Sequence, residues 1–309
     1  MNKTIHIREA VTPEEVECFW QELHAYHARD IFPDPAEEDR AYFLDDSQYR
    51  AAVQRIHDRE GDRCYYLLFQ REGRDIGFAL TALYPSEDGK CFVMEFCVLP
   101  EFRGGGTGTA CARLLLDWAA DRGAQYGELN AADPRRIRFW SRLGFRPNGR
   151  DEWGEPLMLR PPEQALSITV ELLQDPADWQ LRKLENGYLA EIGEPLLTEE
   201  STERLRAAVE QGHIRFLLAY RGCRAVGMCS VAESFSTFCC GPVAVLEDLY
   251  VEPVFRRQGI ARQLTRSAQA LCRERGVGSL TVCCAPCDEA MYQALGFNVP
   301  LGVSRSCLL

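Results

Sequence analysis

Two stretches of the chain, "VLPEFRGGGTG" at 98–108 and "VEPVFRRQGIA" at 251–261, each leave a strand-like apolar run and open a helix-like one. Val98 and Val251, Pro100 and Pro253, Arg103 and Arg256, and Gly106 and Gly259 all stand 153 positions apart. The offset holds at Gly123 and Gly276, and one of 152 relates "FWSRLGF" (139–145) to "MYQALGF" (291–297). Upstream, "RDIGFALTAL" resembles "RAVGMCSVAE". Repeats this long are duplicated domains, not solenoid units. Pro161 and Pro162 in "RPPEQALSI" break regular structure at the seam, so the domains are placed at 1–160 and 166–309. With 309 residues and 46% apolar content, the chain can bury two cores.

Each half alternates in the same order. "TIHIREAV" and "LSITVELL" read as first strands. Two helices follow, "PEEVECFWQELHAYHA" with "SQYRAAVQRIHD" and "PADWQLRKLENGYLAEI" with "TEESTERLRAAVEQ". "CYYLLFQ" and "HIRFLLAY" then lead into hairpin partners across glycine-containing turns. The central strands are "FVMEFCVL" and "PVAVLEDLYV", followed by long helices, a fifth strand, a short helix and a last strand. The expected class is α/β (α+β), a mixed and mostly antiparallel sheet flanked by helices in each half.

The glycine-rich junctions have a chemical reading. A helix N-terminus carries unsatisfied N–H groups and the positive end of the dipole. Glycine permits positive φ and a close backbone approach, and Arg103, or Arg256 with Arg257, adds charge for phosphate. That suits a pyrophosphate cradle; the plain alternative is a tight connection. Neither copy is a nucleotide P-loop, since no Gly-Lys-Ser/Thr follows, and neither matches G-x-G-x-x-G.

Arg103-Gly-Gly-Gly106-Thr-Gly108 and Arg256-Arg-Gln-Gly259-Ile-Ala261 follow V-x-P and precede an aromatic-x-x-x-G-F helix by some 35 residues. This pattern resembles the GNAT acetyltransferase superfamily, here in tandem, over almost the whole chain. "VLEDLYVEPVFRRQGIA" further resembles its polyamine and diamine branch. The resemblance implies acetyl-CoA, with no metal, its pyrophosphate held by Arg103, Gly104, Gly105, Gly106, Thr107 and Gly108. In the second half it is held by Arg256, Arg257, Gln258, Gly259, Ile260 and Ala261. The pantetheine would run beside Phe96 to Val98 and Leu249 to Val251.

Acetyl transfer to an amine needs a base, since an alkyl ammonium has a pKa of about 10.4. It also needs a donor for the carbonyl oxygen and a proton for the leaving thiolate. Glu247 is the base candidate, and Asp248, sent to the opposite face by strand alternation, anchors a substrate ammonium. Tyr292 occupies the family's tyrosine position and would donate to the thiolate. The first half has Trp140 there, and Met94 and Glu95 where the second has Glu247 and Asp248. It is therefore expected to be a cofactor-binding or structural half beside an active second one.

The net charge of −11 argues against a phosphate-tracking nucleic-acid binder and suits a cationic acceptor. No apolar run approaches the roughly 18 residues of a membrane helix, and the start lacks a signal peptide's apolar core, so a cytoplasmic protein is expected. Its fourteen cysteines are expected to be thiols. Cys284 and Cys287 form a lone C-x-x-C without a second pair at zinc spacing. Cys287, near a helix start, could have a lowered pKa. "DIFPDPAEEDRAYFLDD" carries seven carboxylates and reads as a solvated loop that could also draw in a cation. His24 and His27 read as a hydrated helix face. The leading reading is an N-acetyltransferase for a small, primary, cationic amine. Its rivals are an aminoglycoside, peptide N-terminus or thiol-precursor acceptor, and a non-catalytic acyl-CoA sensor; a homodimer stays open.

Overall fold

The computed structural model describes residues 4–34, 36, 39–45, 48–151, 153–163 and 166–302. Parts of the acidic segment (35, 37, 38, 46 and 47) and the C-terminal residues 303–309 lie outside them. The chain divides after Pro147, after Gly154 and after Gln164. The first and third stretches make one compact unit, the second and fourth the other.

In the first unit, strand β1 (Ile5–Glu9) runs into helix α1 (Pro13–Tyr26). Thr12 caps α1 by accepting from the Glu15 N–H, while the Glu15 carboxylate accepts from the Thr12 N–H, a reciprocal capping box. The helix then widens into a π-helical turn at His27–Ile31. Helix α2 (Gln48–His57), β2 (Arg63–Arg71), β3 (Arg74–Tyr84) and β4 (Lys90–Val98) follow. After the glycine loop come α3 (Thr107–Ala120), β5 (Tyr126–Asn130), α4 (Pro134–Ser141), β6 (Arg146–Arg150), whose residues from Asn148 onward fall in the other unit, and β7 (Pro156–Arg160). The sheet order is β1-β2-β3-β4-β5-β7-β6. Only β4 with β5 is parallel among the pairs with described register. Strand alternation divides the core in two. Leu67 and Phe69 pack with α3 residues such as Leu115, while Tyr66 and Leu68 pack with Phe19, Trp20 and Leu23 of α1.

The second unit repeats this order with β8 (Ile168–Leu172), α5 (Trp179–Ile192), α6 (Glu199–Glu210), β9 (Ile214–Arg221), β10 (Arg224–Ser236) and β11 (Gly241–Val251). It continues with α7 (Ile260–Glu274), β12 (Leu280–Val282) and α8 (Glu289–Ala294). The sheet order is β12-β11-β10-β9-β8, with β11 and β12 parallel. Leu181 and Leu184 of α5 pack on Phe216, Leu218 and Met228.

The expected last strand does not follow α8 through Gly302; Pro300, which lacks an N–H, is in that stretch. The first half instead ends in two strands, β6 and β7. Among the described residues no helix is long and apolar enough to cross a membrane, and every described cysteine is free.

Candidate active site

In both units the central strand parts from its parallel neighbour halfway along. β4 pairs with β5 only from Lys90 to Phe92, and β11 pairs with β12 only from Ala244 to Leu246. Beyond those points lie Phe96 and Val98, and Leu249 and Val251, the positions expected to flank a pantetheine.

The parting coincides with a bulge. Leu80 faces Glu95 and Thr81 faces Val93, which leaves Met94 extra. In the second unit Cys229 faces Leu249 and Val231 faces Leu246, so Glu247 and Asp248 together oppose Ser230. A bulge inserts a residue, interrupts the ladder and re-aims side chains. Strict alternation, the basis for sending Glu247 and Asp248 to opposite faces, therefore does not hold there.

The two loops share a backbone. Gly106 and Gly259, the N-caps of α3 and α7, have φ of 81° and 85°. Position 104 is left-handed as glycine (94°) and its counterpart is left-handed as Arg257 (63°). The Arg103 Nε donates to the Val98 carbonyl at 2.8 Å, and the Arg256 Nε donates to the Val251 carbonyl at 2.8 Å. The remaining guanidinium nitrogens bond the Asp30 carboxylate in the first unit and Glu191 in the second. Both arginines thus pin the loop to the end of the splayed strand, their guanidinium groups engaged by a strand carbonyl and a carboxylate. Gln258 accepts from Arg221, Ile260 is buried, and Thr107 is buried beside the Arg71 guanidinium. A cavity of about 230 Å³ over the first loop is lined by Val98, Arg103, Gly104, Gly106, Thr107 and Gly108 among others. A Cβ built on Gly259 meets nothing within 4 Å. Gly259→Ala is thus expected to cost only its backbone conformation, about 1–2 kcal/mol, read as a lowered thermal midpoint.

Asp248 is half-buried. Its Oδ2 accepts from the Ser230 hydroxyl at 2.6 Å, and its N–H donates to the same oxygen at 3.0 Å. Burial raises its pKa above the usual carboxylate range, although the Ser230 bond pulls the other way. Glu247 is exposed. Sequence reasoning missed Glu185, a buried carboxyl on α5 whose pKa is pushed up to about 8, first by burial and then by the charge of Asp248. Its Oε1 has no hydrogen-bond partner among the described residues. Tyr188, one turn on, feels Asp248, Glu185 and Glu247, so these groups share one acidic neighbourhood. Tyr292 joins it: burial, followed by Tyr188, Cys284, Asp288 and Asp248, pushes its phenol up to about 12, so it stays protonated.

Trp140, at the position of Tyr292, is 6% exposed and packs among Phe96, Phe139 and Phe145. His27 corrects an expectation. It does not lie on a hydrated face but is 1% exposed, because α1 gives way to the π-helical turn there, and its Nε2 lies 2.8 Å from Glu95 Oε1. Cys284 and Cys287 are both exposed, and burial with nearby Glu289 and Asp288 raises the Cys284 thiol.

The sequence profile described as the acetyltransferase (GNAT) family matches residues 20–145 and again 179–297. A thialysine N-epsilon-acetyltransferase of Caenorhabditis elegans is 34% identical over 77 residues, 25% of this chain. The chain spans about half (48%) of that relative's length. Among solved structures, an aminoglycoside acetyltransferase from an uncultured soil metagenomic sample, in complex with trehalose, is 20% identical. That match covers 46% of this chain and 95% of its own, with a TM-score of 0.41. The aminoglycoside N-acetyltransferase AAC(6')-Iy in complex with CoA is also 20% identical, covering 47% and 97%, with a TM-score of 0.41.

Proposed function

The chain belongs to the acetyltransferase (GNAT) family, matched in both halves, and from that premise we propose that its second half moves the acetyl group of acetyl-CoA to a primary amine of a small cationic acceptor. The observation that carries this reading is the bulge at Glu247–Asp248, set where β11 leaves β12 and beside the orphaned carboxyl of Glu185. The loop at 257–261 suits the donor, because it opens a helix N-terminus with left-handed residues at 257 and 259. Acetyl-CoA supplies the activated acyl group and a thiol leaving group.

The chain's own groups divide the rest. Asp248, half-buried at the bulge, held by Ser230 and raised in pKa by burial, is taken as the proton acceptor in place of Glu247, the base expected from the sequence. Glu247, exposed at the cleft, anchors the acceptor's distal charge. Glu185 is stabilised as a carboxylate once a cation arrives, which favours an acceptor with more than one amine. A diamino acid or linear diamine fits, in keeping with the name of the C. elegans relative. The Asp248 N–H is taken by Ser230, so the carbonyl oxygen would be served by another backbone N–H of β11, and Tyr292 hands a proton to the thiolate.

Tyr292→Phe is expected to lower kcat about 10²-fold while the dissociation constant for CoA stays unchanged. Unchanged turnover would remove Tyr292 from the mechanism.

A further inference from the structure

The first unit holds a cavity of about 710 Å³ at its own bulge, next to the loop cavity and sharing Val98, Arg103, Gly108 and Phe139 with it. His27 and Glu95 line it, and Tyr49 joins them behind the wall. Glu95 Oε1 meets His27 Nε2 at 2.8 Å and accepts from the Tyr49 hydroxyl at 3.2 Å. His27 and Tyr49 are buried, on separate elements, and Phe43 packs against both rings. The His27 Nδ1 is buried with no partner among the described residues. Burial, then the charge and hydrogen bond of Glu95, lift the Tyr49 phenol well above its ordinary value, so it remains a donor. Here the carboxylate sits at the bulge, the position Asp248 holds in the second unit.

The charges around the two bulges differ. The 152-residue offset sets Arg136 opposite Asp288 and Arg135 opposite Cys287. Both arginines line the cavity. Neither side chain forms an ion pair among the described residues; the Arg136 guanidinium makes a 3.4 Å hydrogen bond to the Asp30 carbonyl, and both backbone N–H groups donate to Asp133. The remaining wall mixes rings, among them Tyr26, Phe32 and Phe43, with aliphatic residues and three further carboxylates, Asp30, Asp39 and Glu155, of which Asp30 is taken by Arg29 and Arg103. The cavity thus offers carboxylates for an ammonium, arginines for an anion and rings for an apolar body. The second unit's site offers carboxylates.

We propose that the first unit is a second transfer site, separate from that of the second unit, which acetylates the amine of a zwitterionic amino acid with an apolar or aromatic side chain. Glu95 is its catalytic residue, His27 and Tyr49 position it, and Arg135 with Arg136 hold the acceptor carboxylate. The proposal shares with the reading above only its donor, acetyl-CoA. Glu95 takes one proton from the ammonium; the nitrogen lone pair forms the C–N bond to the thioester carbonyl carbon. The C–S bond then breaks with its electron pair on sulfur, the nitrogen's second proton goes to the thiolate, and Glu95 returns its proton to solvent. Trp140 gives no proton in this scheme.

The test incubates the full chain with acetyl-CoA and two panels, linear diamines and aromatic or branched amino acids, with products read by mass. The proposal expects N-acetylated amino acids, lost at least about 10²-fold in Glu95→Gln. Arg136→Ala is expected to raise KM for the amino acid about tenfold with kcat kept. His27→Phe is expected to lower kcat with KM for acetyl-CoA kept, and His27→Gln, which keeps a hydrogen-bonding side chain, to recover part of the loss; equal loss in both would overturn the positioning role. Thermal midpoints of all four variants separate these effects from misfolding. Acetylated diamines without any acetylated amino acid would overturn this proposal alone. An amino-acid product that survives Glu95→Gln in a folded variant would overturn it as well. Acetylated amino acids without acetylated diamines would support it and count against the reading of the second unit.

Discussion

Asp248→Asn is expected to lower kcat for a cationic amine by about 10²–10⁴-fold, the range for removing a positioned general base, with little change in thermal stability. The substitution keeps the side-chain shape and a partner for Ser230 but removes the proton acceptor. Glu247→Gln, at an exposed position, is expected to act mainly on KM. Turnover that survives Asp248→Asn and collapses in Glu247→Gln would transfer the role to Glu247. The same pocket has a pH signature. Glu185 is raised to about 8 in the folded chain from an ordinary 4.5. It therefore stays protonated when folded and ionises when unfolded, and stability without acceptor falls as pH rises between those values. A cationic acceptor favours the ionised form, so its binding at pH 7 should release protons, measurable as a dependence of binding heat on buffer ionisation enthalpy. No proton release would separate Glu185 from the acceptor.

Removing Glu252 has the largest expected effect on stability. It lies directly after β11, buried, and accepts from Nε and Nη2 of the fully buried Arg224, at 2.9 and 2.7 Å, with Lys183 Nζ at 2.9 Å. Burial alone would raise its pKa, but Arg224 and Lys183 more than offset this and hold it below the usual carboxylate range. Glu252→Ala removes the carboxylate to which two nitrogens of the buried Arg224 donate, and losing one partner of such a pair costs about 3–5 kcal/mol. The sign in pH follows. A depressed folded pKa gives stability that is present above about 4.5 and lost as pH falls through the lower folded value. Chemical denaturation of Glu252→Ala near neutral pH measures the loss; one within 1 kcal/mol would show that the cluster is dispensable.

The duplication was legible because it is written in backbone requirements. A loop that needs left-handed residues at 104 and 106, and again at 257 and 259, keeps glycine at most of these positions, and the register of everything between follows. The strand parting was legible only through family resemblance, since apolar alternation carries no mark of where a parallel neighbour leaves. Glu185 and His27 were missed because each lies on a helix whose charged residues all read as solvent-facing until the helix is docked. The partners of His27, at 49 and 95, are remote in sequence. The Arg224–Glu252 pair did leave a trace. The 153-residue offset sets Glu252 opposite Leu99, a charged residue in a slot its twin fills with an apolar one.

The most direct measurement is mass detection of product from the intact chain, acetyl-CoA and a linear diamine; fourteen cysteines would compete for a thiol dye. The account predicts a monoacetylated diamine with the native chain and nearly none with Asp248→Asn. Acetyl-CoA bound, with no amine acetylated across a series of diamines and diamino acids, would contradict it.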